Sequence, residues 1–93
     1  MKVWKDGKNR YELHLDVSGK ASGVLYFYER YGIFTFRVFI GGDSEEVDLS
    51  AKTLHDAKIE SEKWLVEILQ DRIRLYEGCI LNYKERLDAL GGG

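Results

Sequence analysis

Proline is absent from the 93 residues, and cysteine occurs once, at Cys79. Without proline there is no Pro-rich linker, and no shift in composition marks a boundary between domains. A lone cysteine excludes an internal disulfide, so the fold suits a reducing compartment and a cytoplasmic location is expected. Histidine is nearly as scarce, with only His14 and His55. Those two and Cys79 are too scattered to supply the three or four ligands that zinc needs, so no metal is expected. The opening MKVWKDGKNR lacks the apolar core of a signal peptide. No stretch approaches the roughly 20 apolar residues that span a bilayer. Excess charge is also missing: the net charge is −2 and the isoelectric point about 5.7. The strongly basic signature of a nucleic-acid coat protein is therefore not there.

Catalytic patterns are missing as well. Gly41-Gly42-Asp43 has neither the P-loop spacing nor the dinucleotide-binding one. His55 and Asp56 are adjacent on an expected helix and point about 100° apart. Cys79 stands beside apolar Ile80 without a neighbouring base, which reads as a small packing residue. His14 falls on the outward side of an expected strand and reads as an exposed histidine. No enzyme and no cofactor are expected.

What is there is a globular composition, 44% apolar and 32% charged, in a length that allows one core. The expectation is a single α+β domain over residues 1–90 and a flexible glycine tail over 91–93. Glycines cluster before residue 43 and are nearly missing after it, as strands with short turns followed by helix would require. Tyr11, Leu13, Leu15 and Val17 alternate with Arg10, Glu12, His14 and Asp16, the period of a half-buried strand. Val24 to Arg30 is a second strand, closed by a positive-φ turn at Gly32. Ile33 to Ile40 is a third, with Phe34, Phe36, Val38 and Ile40 on one face. Glu45 to Leu49 is a short candidate fourth, with Val47 and Leu49 inward. Lys2 to Lys5, before the hairpin signal Asp6-Gly7, is a candidate edge strand. The sheet is thus an antiparallel meander of three to four strands.

The second half reads as helix from a cap at Thr53, whose hydroxyl faces the Asp56 amide. Leu54, Ala57, Ser61, Trp64, Leu65 and Ile68 form a stripe for the sheet. A second stripe, Val66, Leu69, Ile73, Tyr76, Ile80, Tyr83, Leu87 and Leu90, alternates steps of three and four in a heptad seam. An unbroken helix to Leu90 would be roughly 55 Å long, whereas an eight-residue strand covers roughly 26 Å. The far end of the seam must then meet another surface. A straight helix with a homodimer seam at Ile73, Tyr76, Ile80, Tyr83, Leu87 and Leu90 is favoured, because glycine costs only about 1 kcal/mol inside a helix. A helical hairpin near Gly78 is the alternative.

Charge is segregated along the chain. Residues 1–40 are net +3, residues 41–62 are net −5 and the remainder is neutral. Acids at the helix start offset its dipole, but Asp43, Glu45, Glu46 and Asp48 precede the helix. They form an acidic corner that either blunts an edge strand or docks a partner. Nine aromatics lie in the first 40 residues, too many for one face under a helix. With Leu25 and Phe27 inward, Tyr26 and Tyr28 join Arg30, Arg37 and Phe39 on an open sheet face. That composition suits a protein hot spot, base stacking with phosphate contact, or plain cross-strand pairing.

Two resemblances bear on function. The run Thr53-Leu54-His55-Asp56-Ala57-Lys58 through Trp64-Leu65, after a meander, resembles arm-type DNA-binding domains of phage integrases, over residues 10–69. That likeness implies a nucleic-acid-binding accessory domain that uses the sheet face. The whole chain looks more like small phage-encoded anti-defence proteins, anti-CRISPR proteins in particular, by layout and not by motif. That likeness implies binding to a host nuclease complex and blocking it without catalysis. Asp43, Glu45, Glu46 and Asp48 would then stand in for phosphates in a basic channel. A purely structural dimer is the third expectation.

Overall fold

A computed structural model describes residues 2–16, 19–40, 42–75 and 80–91, with side chains for all of these except 73–75 and 80–83. The chain forms β1 (Val3–Asp6), β2 (Arg10–His14), β3 (Gly23–Tyr28), β4 (Ile33–Ile40), β5 (Asp43–Asp48), α1 (Leu54–Leu75) and α2 (Ile80–Leu90). The strands pair antiparallel in chain order, so the sheet is a five-stranded meander, not one of three to four. The extra strand is the candidate edge, displaced by one residue to start at Val3. Its turn closes with the Gly7 amide donating to the Arg10 carbonyl at 2.9 Å and Asn9 at φ 57°. Asparagine tolerates that left-handed backbone better than most residues.

Two strands end earlier than their patterns suggested. β2 stops at His14, although Leu15 is still buried, and Val17 lies outside the described residues. β3 stops at Tyr28 because the chain turns there. The Gly32 amide donates to the Tyr28 carbonyl at 2.8 Å, and Gly32 has φ 64°. β5 begins two residues sooner than expected, since Gly42 at φ 90° turns the chain directly into Asp43.

Alternation decides which side chains meet the helices. Leu13, Leu25, Phe34, Phe36, Val38 and Ile40 form the buried face of the sheet. Ala57, Ser61, Leu65 and Leu69 form one i, i+4 row of α1 in which every member is 0% exposed. Small Ala57 and Ser61 let the helix approach closely, and the Ser61 hydroxyl is satisfied by the Ala57 carbonyl at 2.7 Å. The sheet-facing stripe therefore differs from expectation in two places. Leu69 belongs to it, and Trp64 is 38% exposed on the flank. The Asp56 amide donates to Thr53 Oγ1 at 3.2 Å, so the cap is in place.

The straight helix is not there. Among the described residues the helix is two elements, α1 to Leu75 and α2 from Ile80, and α2 packs back along α1. A rod of roughly 55 Å would also exceed the molecule's longest extent of 41 Å. Leu90 lies beside Ile59 and Val66 on the surface between the two helices. Leu87, 6% exposed, enters the same core cluster as Leu65 and Leu69. The early seam residues Val66 and Leu69 and the late ones Leu87 and Leu90 thus meet within one chain. Of the expected homodimer seam, Leu87 is covered within the chain, whereas Leu90 is only partly buried at the surface between the helices. Gly78, Tyr76 and the side chains of Ile73, Ile80 and Tyr83 lie outside the described residues. Arg86 fastens α2 to the sheet by donating from Nη1 to the Phe39 carbonyl at 3.3 Å.

Candidate interaction surface

Both helices sit on one side of the sheet, leaving the other face to its own side chains. The register builds that outer face in rows. One row crosses Lys5, Glu12, Val24, Arg37 and Glu46, and the next crosses Arg10, Tyr26, Thr35 and Asp48. Cations and acids are interleaved, so the face is not the basic surface suggested by the charge of the first 40 residues. Arg37 donates from Nε and Nη2 to one oxygen of Glu46, at 3.0 and 2.6 Å. Arg10 pairs with Glu12 and lies 6.0 Å from the Tyr26 ring centre. The Thr35 hydroxyl donates to Asp48 Oδ1 at 3.0 Å.

The aromatic set is brought together only in part. Tyr26 and Tyr28 stack with centroids 6.3 Å apart. Arg30 lies in the following turn, 5.6 Å from the Tyr31 ring centre. Phe39 is exposed at the opposite end of β4, roughly 20 Å from Ile33 at strand spacing. Tyr28, Tyr31 and Ile33, all exposed, form the apolar rim at the β3–β4 turn. A shallow groove of about 230 Å³ runs from there to β5, lined by Tyr28, Tyr31, Ile33, Thr35, Glu46 and Asp48.

The acidic corner is divided between two faces. Glu46 and Asp48 point outward, whereas Glu45 alternates to the helix side and accepts from Arg72 Nη2 at 3.2 Å. Asp43 is exposed at the start of β5. The acids of the helix start have structural work. Glu60 accepts from the Ser50 and Ala51 amides at 3.1 and 3.0 Å and holds the β5–α1 connection. Glu62 accepts from Lys2 Nζ at 2.8 Å and Trp4 Nε1 at 3.0 Å, and Lys58 reaches Asp6 at 2.9 Å. Sequence reasoning did not find the ties of Glu62 and Lys58 to Lys2, Trp4 and Asp6, because they join residues 52 to 60 positions apart.

His14 is on the outer face as expected but is 4% exposed, so the exposed reading is corrected. β2 is an interior strand. Val3 pairs opposite His14 on one side, and on the other the Ser22 amide donates to the Leu13 carbonyl at 2.8 Å. The ring Nε2 lies 3.1 Å from Glu12 Oε1.

The Arg10 guanidinium, and after it the His14 ring, hold the Glu12 carboxyl below its ordinary value of 4.5. A depressed folded value stabilises the protein above the unfolded one, and that contribution is lost as pH falls through the folded one. Glu12→Gln should therefore flatten the acid limb of stability. Urea midpoints measured from pH 5 down to pH 3 should converge for the two proteins at the low end. Parallel curves would show that the pair does nothing.

Among the described residues, no group of three or more His, Cys, Asp or Glu side chains is placed to hold a metal ion. No helix among them is long and apolar enough to cross a membrane. The sequence matches no family model, no curated protein and no solved structure.

Proposed function

We propose that this chain is a non-enzymatic protein-binding module that uses the outer face of its sheet. Occlusion of a nucleic-acid-processing complex in the cytoplasm is the form that the layout resemblance implies. The observation that carries the reading is the asymmetry of the sheet. One face is buried under both helices, and the other presents Tyr28, Tyr31 and Ile33 beside charges already paired with each other. Exposed tyrosines next to side chains that are held in place by pairing have the composition that protein hot spots favour.

The competing nucleic-acid reading needs cations free to meet phosphates. Arg10 and Arg37 are engaged by Glu12 and Glu46, and Asp48 adds a further negative charge to the same face. Mimicry of phosphates is also reduced to Glu46, Asp48 and Asp43, since Glu45 is turned to Arg72.

Fluorescence anisotropy with single-stranded DNA and with RNA, over 50 to 200 mM salt, separates the two. A binder making 6 to 10 phosphate contacts loses about 10³–10⁵ in affinity over that range. The expected result is no binding tighter than about 10⁻⁴ M at the upper salt, the non-specific level. Tight binding with a steep salt slope that Arg37→Ala makes shallower would transfer the function to nucleic acid.

A further inference from the structure

β5 is an outer strand of the sheet, so among the described residues one row of its backbone N–H and C=O groups has no strand beside it. Every residue of β5 except Val47 is exposed. The groove from Tyr31 to Asp48 opens along the same strand. Two independent features, an unpaired edge and a lined groove, therefore meet at one place.

The chemistry of the place is one-sided. Asp43, Glu45, Glu46 and Asp48 give β5 four acids in six residues and no base. Arg37 uses a single oxygen of Glu46, and Thr35 a single oxygen of Asp48. Among the described residues, Glu46 Oε1 and Asp48 Oδ2 have no partner. Tyr28 and Tyr31, 44% and 67% exposed, stand across the groove from them, with Ile33 between. A second copy of β5 is a poor occupant, because its acids would lie opposite these. A long cationic side chain fits every part. Its charge meets the two open carboxylate oxygens, its stem covers Ile33, and the tyrosine rings attract it through their π faces. Arg30 against Tyr31 shows that the ring accepts a cation.

We propose that β5 takes an added strand from a partner protein, and that this strand carries lysine or arginine at alternate positions. Backbone pairing supplies the alignment, and the groove selects the cationic side chain that faces Glu46 and Asp48. The proposal rests on the protein-binding reading and names the partner's chemistry at that surface.

The test is a nitrogen-15 NMR titration of the full chain with acetyl-Lys-Thr-Lys-Val-Lys-Thr-amide, against the same peptide with glutamate in place of lysine. The basic peptide should shift the amides of residues 43–48 together with Tyr28, Tyr31 and Ile33. The acidic peptide should shift none of them. Asp48→Asn, which keeps an oxygen for Thr35, should weaken binding about two- to fivefold, the scale of an exposed charge pair. Tyr31→Ser, at a position 67% exposed, gives the same comparison should Asp48→Asn disturb the spectrum. Shifts confined to β1, equal response to both peptides, or no response at millimolar peptide would overturn the proposal. Any of these, with nucleic acid still unbound, leaves the wider protein-binding reading standing. Tight salt-sensitive DNA binding would remove that reading as well.

Discussion

Phe36→Ala is expected to cost about 3–5 kcal/mol, the range for emptying a buried aromatic site. Phe36 is 0% exposed at the centre of β4 and packs 6.4 Å from Trp4, centroid to centroid. It also fills the space above Gly23, where an added Cβ would come within 2.4 Å of the ring's Cζ. Glycine at position 23 therefore leaves the room that the ring occupies. Small domains hold only about 5–15 kcal/mol in total. The variant should be close to its unfolding midpoint at 37 °C, read by circular dichroism in urea. Gly23→Ala should destabilise too, and the double variant should cost less than the sum because the two sites share one volume. Full additivity would mean that the ring does not rest on Gly23.

Leu87→Asp should unfold the helical layer from the sheet. The side chain sits in the core beside Leu65 and Leu69, and a carboxylate there has no described partner. The cost is expected at about 3 kcal/mol or more, combining the lost leucine with a buried charge. The mode of failure distinguishes two architectures. In a hairpin that covers its own seam, stability falls and the urea midpoint is independent of protein concentration. In a seam between chains, the variant stays folded at half the mass, and the wild-type midpoint rises with concentration. Light scattering and urea titrations at two concentrations separate these outcomes.

The difference between those architectures explains what the sequence did and did not disclose. Phe34, Phe36, Val38 and Ile40 announce a buried face because strand alternation is local and unaffected by what lies above. Gly32 and Gly42 mark real turns for the same reason. The heptad spacing from Val66 to Leu90 is satisfied equally by a second chain or by the same chain folded back. At about 1 kcal/mol, a glycine penalty does not decide between them. Parity placed Tyr28 and Arg37 on the outer face correctly, yet their company was not legible. Arg37 meets Glu46 only because Ile40 pairs with Asp43, and a shift of one residue would have exchanged Glu46 for Glu45. The burial of His14 likewise depends on β1, the strand that its own short pattern marks least strongly.

Contact with a partner is expected at the outer sheet face and not at the helices. Exposed apolar side chains on the two sides allow a direct comparison: Tyr28 and Tyr31 on the sheet side, and Ile59 and Trp64 on α1. Tagged wild type, Tyr28→Ser/Tyr31→Ser and Ile59→Ser/Trp64→Ser are immobilised at equal amounts in a lysate of the cells that express the protein. Retained proteins are then quantified by mass spectrometry. The sheet-face variant should lose the specific partner, and the helix-face variant should retain it at the wild-type level. Retention by the sheet-face variant with loss by the helix-face variant would place the contact on the helices instead.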